Sequence, residues 1–329
     1  MAATGKLHIK STAVHASLPV DNCAADVANR IKCYDNYFNE VIKTQGAKVA
    51  LDKVAELTTN DRGFEADCHA IVHTVGRNAY KFYGSVSAAS KFGTEVCASG
   101  YYHGIMEAYM GKFDDAALLA KMPTICEPSG QAYNLSYYNC LHGLGHGLTI
   151  RFNQDIFKAL PYCEAIGKSW ESQSCDSGVF MQNIVADGVN HVSVDLKADD
   201  PVYPCDAVPE QQKNPCFLIQ TSNILKAKGY DYAASFVVCD GVEKPYIGTC
   251  YQSMGRDISG NTLRDPDKII ADCSLGQAEH QADCYSGASK EITWQDHGDK
   301  RTKLLCDKLK GGLASSCLSA RDEIVASFN

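Results

Sequence analysis

Three stretches share one outline: CDGVEKPYIGTC at residues 239–250, CSLGQAEHQADC at 273–284 and CDKLKGGLASSC at 306–317. Each begins and ends on a cysteine, giving Cys239 and Cys250, Cys273 and Cys284, and Cys306 and Cys317, eleven residues apart. Upstream, Cys205 and Cys216 repeat the gap of 11, Cys163 and Cys175 are 12 apart, and Cys126 and Cys140 are 14 apart. The second cysteines recur after 35, 41, 34, 34 and 33 residues, giving a repeat of about 34–41 residues. A period in the mid-thirties marks stacked helical hairpins. The predicted fold class is therefore all-α, an α-solenoid of stacked hairpins in which each later hairpin is stapled by a disulfide.

Local chemistry supports a helix on either side of each gap. Asp265-Pro266-Asp267-Lys268-Ile269-Ile270 is an acidic, proline-bearing helix start leading to Cys273. Lys303-Leu304-Leu305-Cys306 reads as a similar helix end. The first cysteine thus closes a helix A. The residue before the second cysteine is often a capping type, namely Asn139, Ser174, Thr249, Asp283 and Ser316, and Asn214-Pro215 precedes Cys216 in the same sense. The second cysteine is therefore expected to open a helix B. A bridge across such a loop of about a dozen residues contributes roughly 2–3 kcal/mol by the chain-entropy estimate. The period is similar to that of tetratricopeptide and Sel1-like repeats, whose consensus residues are absent here.

The chain has 329 residues and 16 cysteines, with no CxxC pair. Zinc ribbons and iron–sulfur sites bring their cysteines in close pairs, so a disulfide framework is the better reading. That framework needs an oxidising compartment, secreted, periplasmic or cell-surface. The opening Met1-Ala2-Ala3-Thr4 shows no signal peptide, as a chain whose signal has been removed would not. The formal net charge of −8 argues against a nucleic-acid partner. No run reaches the roughly 18 apolar residues that a membrane span needs. A small molecule or a protein remains as the partner class.

Residues 1–20 are polar and unpatterned and read as a loose arm. Residues 21–329 read as one helical-repeat domain, irregular and histidine-bearing over 21–155 and regularly stapled over 156–329. In the irregular part, 34–57 reads as one long amphipathic helix, and Cys68 and Cys97 are expected to open helices that run to Tyr80 and Tyr109. The pairing of Cys23, Cys33, Cys68 and Cys97 stays open, because four cysteines allow three connectivities.

The chemistry concentrates in three successive B-type helices. Cys68 is followed by His69 and His73, Cys97 by His103 and Glu107, and Cys140 by His142 and His146. Each pair is spaced i,i+4, which puts both side chains on one helix face. Two imidazoles at that spacing can chelate one ion, and three such pairs at matched repeat positions would be stacked side by side. The candidate metal ligands are His69, His73, His103, His142 and His146, with Met181 at the equivalent place in the next helix. Copper or zinc suits such donors, with iron as a third choice, and the set would hold one or two ions. Placement in the first two helical turns would let the dipole disfavour imidazolium. Gly143, Gly145 and Gly147 around the last pair would allow close backbone approach.

Glu107 is the candidate catalytic residue, as general base or ligand. Arg77, Gln182 and Asn183 are candidate substrate-binding residues, and Arg256 is a weaker one. His8, His15, His191, His280 and His297 have no matched spacing and read as surface or loop residues. There is no GxSxG, P-loop, Rossmann fingerprint, HExxH or CxxCH motif. The sequence therefore points to an extracytoplasmic metalloprotein, read as a metal-dependent oxidoreductase or hydrolase. A metal-free protein-interaction scaffold and a metal storage or delivery protein are the rival readings.

Overall fold

A computed structural model describes residues 23, 29–94, 96–97, 100–126, 135–167, 169–184, 192–296 and 298–327. The arm at 1–20 and His8, His15, His191 and His297 lie outside the described residues. Among the described residues the fold is all helical, with no strand. All sixteen cysteines are paired in eight disulfides. The six pairs read from the spacing are all bonded: Cys126–Cys140, Cys163–Cys175, Cys205–Cys216, Cys239–Cys250, Cys273–Cys284 and Cys306–Cys317. The open four resolve as Cys23–Cys33 and Cys68–Cys97. Packing of the chain divides it into two compact units, residues 1–101 and 102–329.

In the first unit, α1 (Arg30–Gln45) and α2 (Ala47–Asn60) replace the single long helix expected over 34–57. The break is Gly46, whose φ of 90° an L-residue rarely adopts. The Ala47 N–H, released from the helix ladder, donates to the Tyr83 hydroxyl at 3.1 Å. Tyr34, Phe38, Val41 and Ile42 are buried from α1, and Leu51, Val54 and Leu57 from α2, whereas Val49, read from the sequence as part of the apolar face, is 40% exposed and Tyr37 is half-buried. Helix α3 (Arg62–Tyr83) packs on both. It starts six residues before Cys68, because Asp61 caps it by accepting from the Gly63 and Phe64 N–H groups. It ends on Gly84 in the left-handed conformation. The short α4 (Val86–Ser90) follows. Cys97 ties the next segment to α3, and α5 (Gly100–Met110) begins three residues later, with all but its first two residues belonging to the second unit.

The second unit is built from hairpins. Its A helices are α6 (Asp115–Lys121), α8 (Ile156–Glu164), α11 (Tyr232–Asp240), α13 (Pro266–Cys273) and α15 (Lys300–Cys306). Its B helices are α7 (Leu135–Arg151), α9 (Ser169–Ile184), α10 (Glu210–Ala227), α12 (Ile247–Asn261), α14 (Gln281–Gln295) and α16 (Gly312–Ser327). Each B helix packs on the next in order. Tyr138 of α7 also meets Trp294 of α14, with ring centroids 6.0 Å apart, so the row of B helices curves back toward its start.

As the sequence indicates, Cys163, Cys239, Cys273 and Cys306 sit in the last turn of their A helices. Cys126 instead follows the 3-10 turn Met122–Thr124 that continues α6. Cys205 is the other exception. It lies in turns at 201–208, held by Gln220, which donates to the Pro201 and Tyr203 carbonyls.

The B helices do not open at Cys140, Cys175, Cys216, Cys250, Cys284 and Cys317, contrary to expectation. They begin three to six residues earlier, so Asn139, Ser174, Thr249, Asp283 and Ser316 are inside helices rather than caps. Pro215 likewise lies within the second turn of α10 rather than at its first position. The true caps are aspartates at the A helices. Asp114, Asp155, Asp231 and Asp265 each accept a backbone N–H three residues on. Three of these follow one recurring turn of two left-handed residues: Asn153-Gln154, Gly229-Tyr230 and Leu263-Arg264. In each, the second residue donates its N–H to the carbonyl five residues back, at 2.8 Å. This turn closes one hairpin and aims the next.

Neighbouring B helices approach closely at reciprocal glycines. A Cβ on Gly145 would stand 2.0 Å from the Cys175 carbonyl oxygen, and one on Gly178 would stand 2.0 Å from the His142 oxygen. Gly255 and Gly287 repeat the arrangement between α12 and α14, each 1.9 Å from a backbone oxygen of the other helix. The glycines that interrupt these helices are thus packing requirements. Gly147 likewise faces the Met110 side chain, whereas a Cβ on Gly143 would meet only ordinary contacts.

Candidate metal centre

Helix α3 carries His69 and His73, and α7 carries His142 and His146. The matched register holds in three dimensions: His69 and His142 are each the eighth residue of their helix, and His73 and His146 each the twelfth. Only His103, fourth in α5, stands in a first turn. The helix dipole fades beyond the first turn, so it bears little on the other four imidazoles. At His142 it is desolvation that lowers the pKa, to about 4. His73, His103 and His146 are 1–2% exposed.

In the first unit the two rings of α3 meet through nitrogens. His73 Nε2 lies 3.0 Å from His69 Nε2, with ring centroids 4.5 Å apart and planes at 64°. The Cys97 carbonyl can only accept, so His69 donates its Nδ1–H to it at 2.8 Å. That bond fixes the tautomer and leaves a lone pair on His69 Nε2. The Cys68–Cys97 disulfide therefore has a consequence at the site, since it anchors the carbonyl that orients His69. The first residue of α5 is pressed on the same pair: a Cβ on Gly100 would come 2.9 Å from His73 Cδ2 and 3.1 Å from His69 Nδ1. His103 follows one turn along that helix. His69, His73 and His103 form a group that could hold one metal ion.

In the second unit His142 and His146 repeat the arrangement. Their Nε2 atoms are 3.1 Å apart, their centroids 4.8 Å apart and their planes at 64°. His142 Nδ1 bonds the Ser177 hydroxyl at 2.9 Å, and His146 Nδ1 bonds Gln182 Oε1 at 2.9 Å. His103 stacks on His146, with centroids 3.8 Å apart and planes 18° from parallel. Tyr138 lies nearly parallel to His142, with ring centroids 5.5 Å apart and planes at 24°.

The remaining candidates divide. Gln182 faces the histidines as a hydrogen-bond partner of His146. Asn183 is taken up elsewhere, donating to the Asp195 carbonyl and accepting from Ser193. Met181 is partly exposed on α9, and the residue that reaches the α7 histidines is Gln182. Glu107 is half-buried on α5, one turn beyond His103. Arg77 is partly buried on α3. Arg256 is bonded to Asp257 and to the Leu218 and Ile219 carbonyls, which ties α12 to α10. His280 is partly exposed beside Glu279 and Asp283.

Ser177 is not legible as a site residue from its own surroundings in the sequence. The signal is the repeat itself: Ser177 is 35 residues after His142, and Gln182 is 36 after His146. One period along the chain is one helix across the stack.

No family model, curated protein or solved structure matches this chain. The functional reading therefore rests on the geometry of the histidines and on the disulfide framework, which belongs to an oxidising, extracytoplasmic setting.

Proposed function

We propose that this protein is an extracytoplasmic metalloenzyme whose metal centre is held by His69, His73 and His103. The observation that carries the reading is the α3 pair. His69 has its Nδ1–H committed to a backbone carbonyl, and its Nε2 lone pair faces His73 Nε2 at 3.0 Å. Two nitrogens about 2.05 Å from one tetrahedral ion stand about 3.3 Å apart, so the pair is within a few tenths of an ångström of a chelating bite. The orienting carbonyl is the outer partner that metal-bound histidines characteristically have.

Among the described residues the group is made of three histidines, and three protein donors with a coordination position left open would be the arrangement of catalytic rather than structural sites. An all-imidazole donor set suits zinc or copper, and iron less well. With zinc, a bound water would acquire a pKa near neutrality and serve hydrolysis; with copper, the open position would serve redox chemistry. Glu107, one turn beyond His103 on α5, would serve as general base, and Arg77 and Gln182 would bind substrate.

The test is elemental analysis of protein exported to an oxidising compartment and purified without chelators, beside a His69→Ala/His73→Ala variant. Retention of zinc, copper or iron near one equivalent or above, with one equivalent lost in the variant, supports the reading. Equal metal in both samples overturns it, and none in either after reconstitution overturns it in favour of the scaffold alternative.

A further inference from the structure

The α7 histidines pose a problem that the first group does not solve. Ser177 donates its hydroxyl proton to the Ser174 carbonyl at 2.8 Å. Its oxygen is thereby left as the acceptor for His142, so His142 carries its proton on Nδ1. His146 donates from Nδ1 to Gln182 Oε1. Each ring has a single proton in its neutral form, so both Nε2 atoms present lone pairs. These lone pairs face one another at 3.1 Å. Neither ring can donate to the other, and two acceptors held at hydrogen-bond distance repel unless a cation stands between them.

A proton is the first candidate for that cation, and burial opposes it. His146 is 1% exposed, and the Nδ1 atoms of both rings are taken up by Ser177 and Gln182 of α9, so an added charge there would have little access to water. A metal ion is the second. The separation of 3.1 Å is close to the bite of two nitrogens on one ion. The same chelate geometry, Nε2 to Nε2 at 3.0 Å with a 64° interplanar angle and a first-histidine Nδ1 bonded to an oxygen, occurs at His69 and His73. Two repeats therefore present the same pair of donors in the same setting.

We infer that His142 and His146 chelate a second transition-metal ion through their Nε2 atoms, with Ser177 and Gln182 as positioning residues. This inference stands independently of the group at His69. Two protein donors leave at least two positions for water or a substrate donor atom. The ion is one that accepts neutral imidazole, zinc or copper, rather than an oxygen-seeking calcium or magnesium. Within the second unit His103 stacks on His146.

The experiment is titration of the full-length, disulfide-bonded protein with Zn²⁺, and separately with Cu²⁺, reading stoichiometry by calorimetry and elemental analysis. Wild type is compared with His69→Ala/His73→Ala, His142→Ala/His146→Ala and Ser177→Ala. Two equivalents in wild type and one in each double variant support the inference. Ser177→Ala keeps both donors and is expected to weaken only the second ion, by about 10- to 100-fold. It decides the matter if the His142 variant does not fold, because unchanged affinities in Ser177→Ala would overturn the inference. One equivalent in wild type, lost only in the His69 variant, overturns the second ion and leaves the first centre standing. One equivalent lost only in the His142 variant does the reverse. A single equivalent lost in both variants means one shared ion and overturns the inference, and no binding at all overturns both.

Discussion

Replacing Gly255 by alanine should destabilise the second unit, while the same change at Gly260, five residues along the same helix, should not. A Cβ on Gly255 would stand 1.9 Å from the Cys284 carbonyl oxygen and 3.0 Å from the Ala288 nitrogen. Ordinary contact begins at 3.4 Å, so α12 and α14 would have to part by about 1.5 Å. Both obstacles are backbone, so no rotamer change relieves them. Parting is also resisted at Gly287, which makes the reciprocal contact with Gln252, and at Cys284, which is stapled to Cys273. Overpacking of this kind costs typically about 1–3 kcal/mol or more. The better helix propensity of alanine returns up to about 1 kcal/mol. The expected net loss is about 2 kcal/mol, or roughly 4–8 °C in melting temperature for a unit of this size. Gly260 is exposed, and a Cβ added there would find nothing within 4 Å, so Gly260→Ala should gain a few tenths to about 1 kcal/mol. Guanidinium and thermal unfolding followed by circular dichroism, with disulfides intact, measure both. A Gly255→Ala protein as stable as wild type would refute the close packing, as would equal damage from Gly260→Ala.

Other expectations follow from single residues. Leu263 is 84% exposed at φ 54°, in the turn position that Gly229 fills one repeat earlier; Leu263→Gly should raise stability by up to about 1 kcal/mol in the same unfolding assay, by relieving left-handed strain. Asp176 is buried with Oδ1 unpartnered, and burial pushes its carboxyl up to about 8. Its folded pKa exceeds the unfolded value, so the folded form binds the extra proton and stability falls as pH rises from about 4 to 8. Asp176→Asn should therefore stabilise the protein by a few kcal/mol at about pH 8, an advantage that shrinks toward zero near pH 4 in paired melts. Gly100→Ala would drive a Cβ into His73 and His69 and should weaken metal binding at least tenfold in a Zn²⁺ titration, whereas Gly84→Ala, which meets no neighbour, should leave that affinity unchanged.

The hairpin architecture is readable because disulfide spacing is a one-dimensional record of a helix–turn–helix unit, and all six spaced pairs, from Cys126–Cys140 to Cys306–Cys317, are bonded. The pairing of the other four cysteines is not readable, because Cys68 and Cys97 span 29 residues with no repeat to calibrate them. Helix starts are misread from the sequence for a physical reason. Polar residues beside Cys140, Cys175, Cys250, Cys284 and Cys317 resemble caps, while the aspartate caps follow left-handed residues such as Tyr230, Leu263 and Arg264 that carry no glycine signal. The i,i+4 histidine pairs are legible because helix periodicity alone puts them on one face. The sequence suggests that the helix dipole disfavours imidazolium, but both pairs stand beyond the first turn, and at His142 it is desolvation that lowers the pKa, to about 4. Ser177 looks like one more helix serine until its distance of one period from His142 gives it a place.

That His69, His73 and His103 bind a transition metal is tested most directly by anomalous diffraction from crystals grown without chelators, collected on both sides of the zinc and copper absorption edges. The expected result is an anomalous peak about 2.0–2.1 Å from the Nε2 atoms of His69 and His73, present on one side of a single edge and absent from the His69→Ala/His73→Ala variant. Density that shows those two nitrogens in direct contact, with no anomalous peak after soaking in either metal, would contradict it.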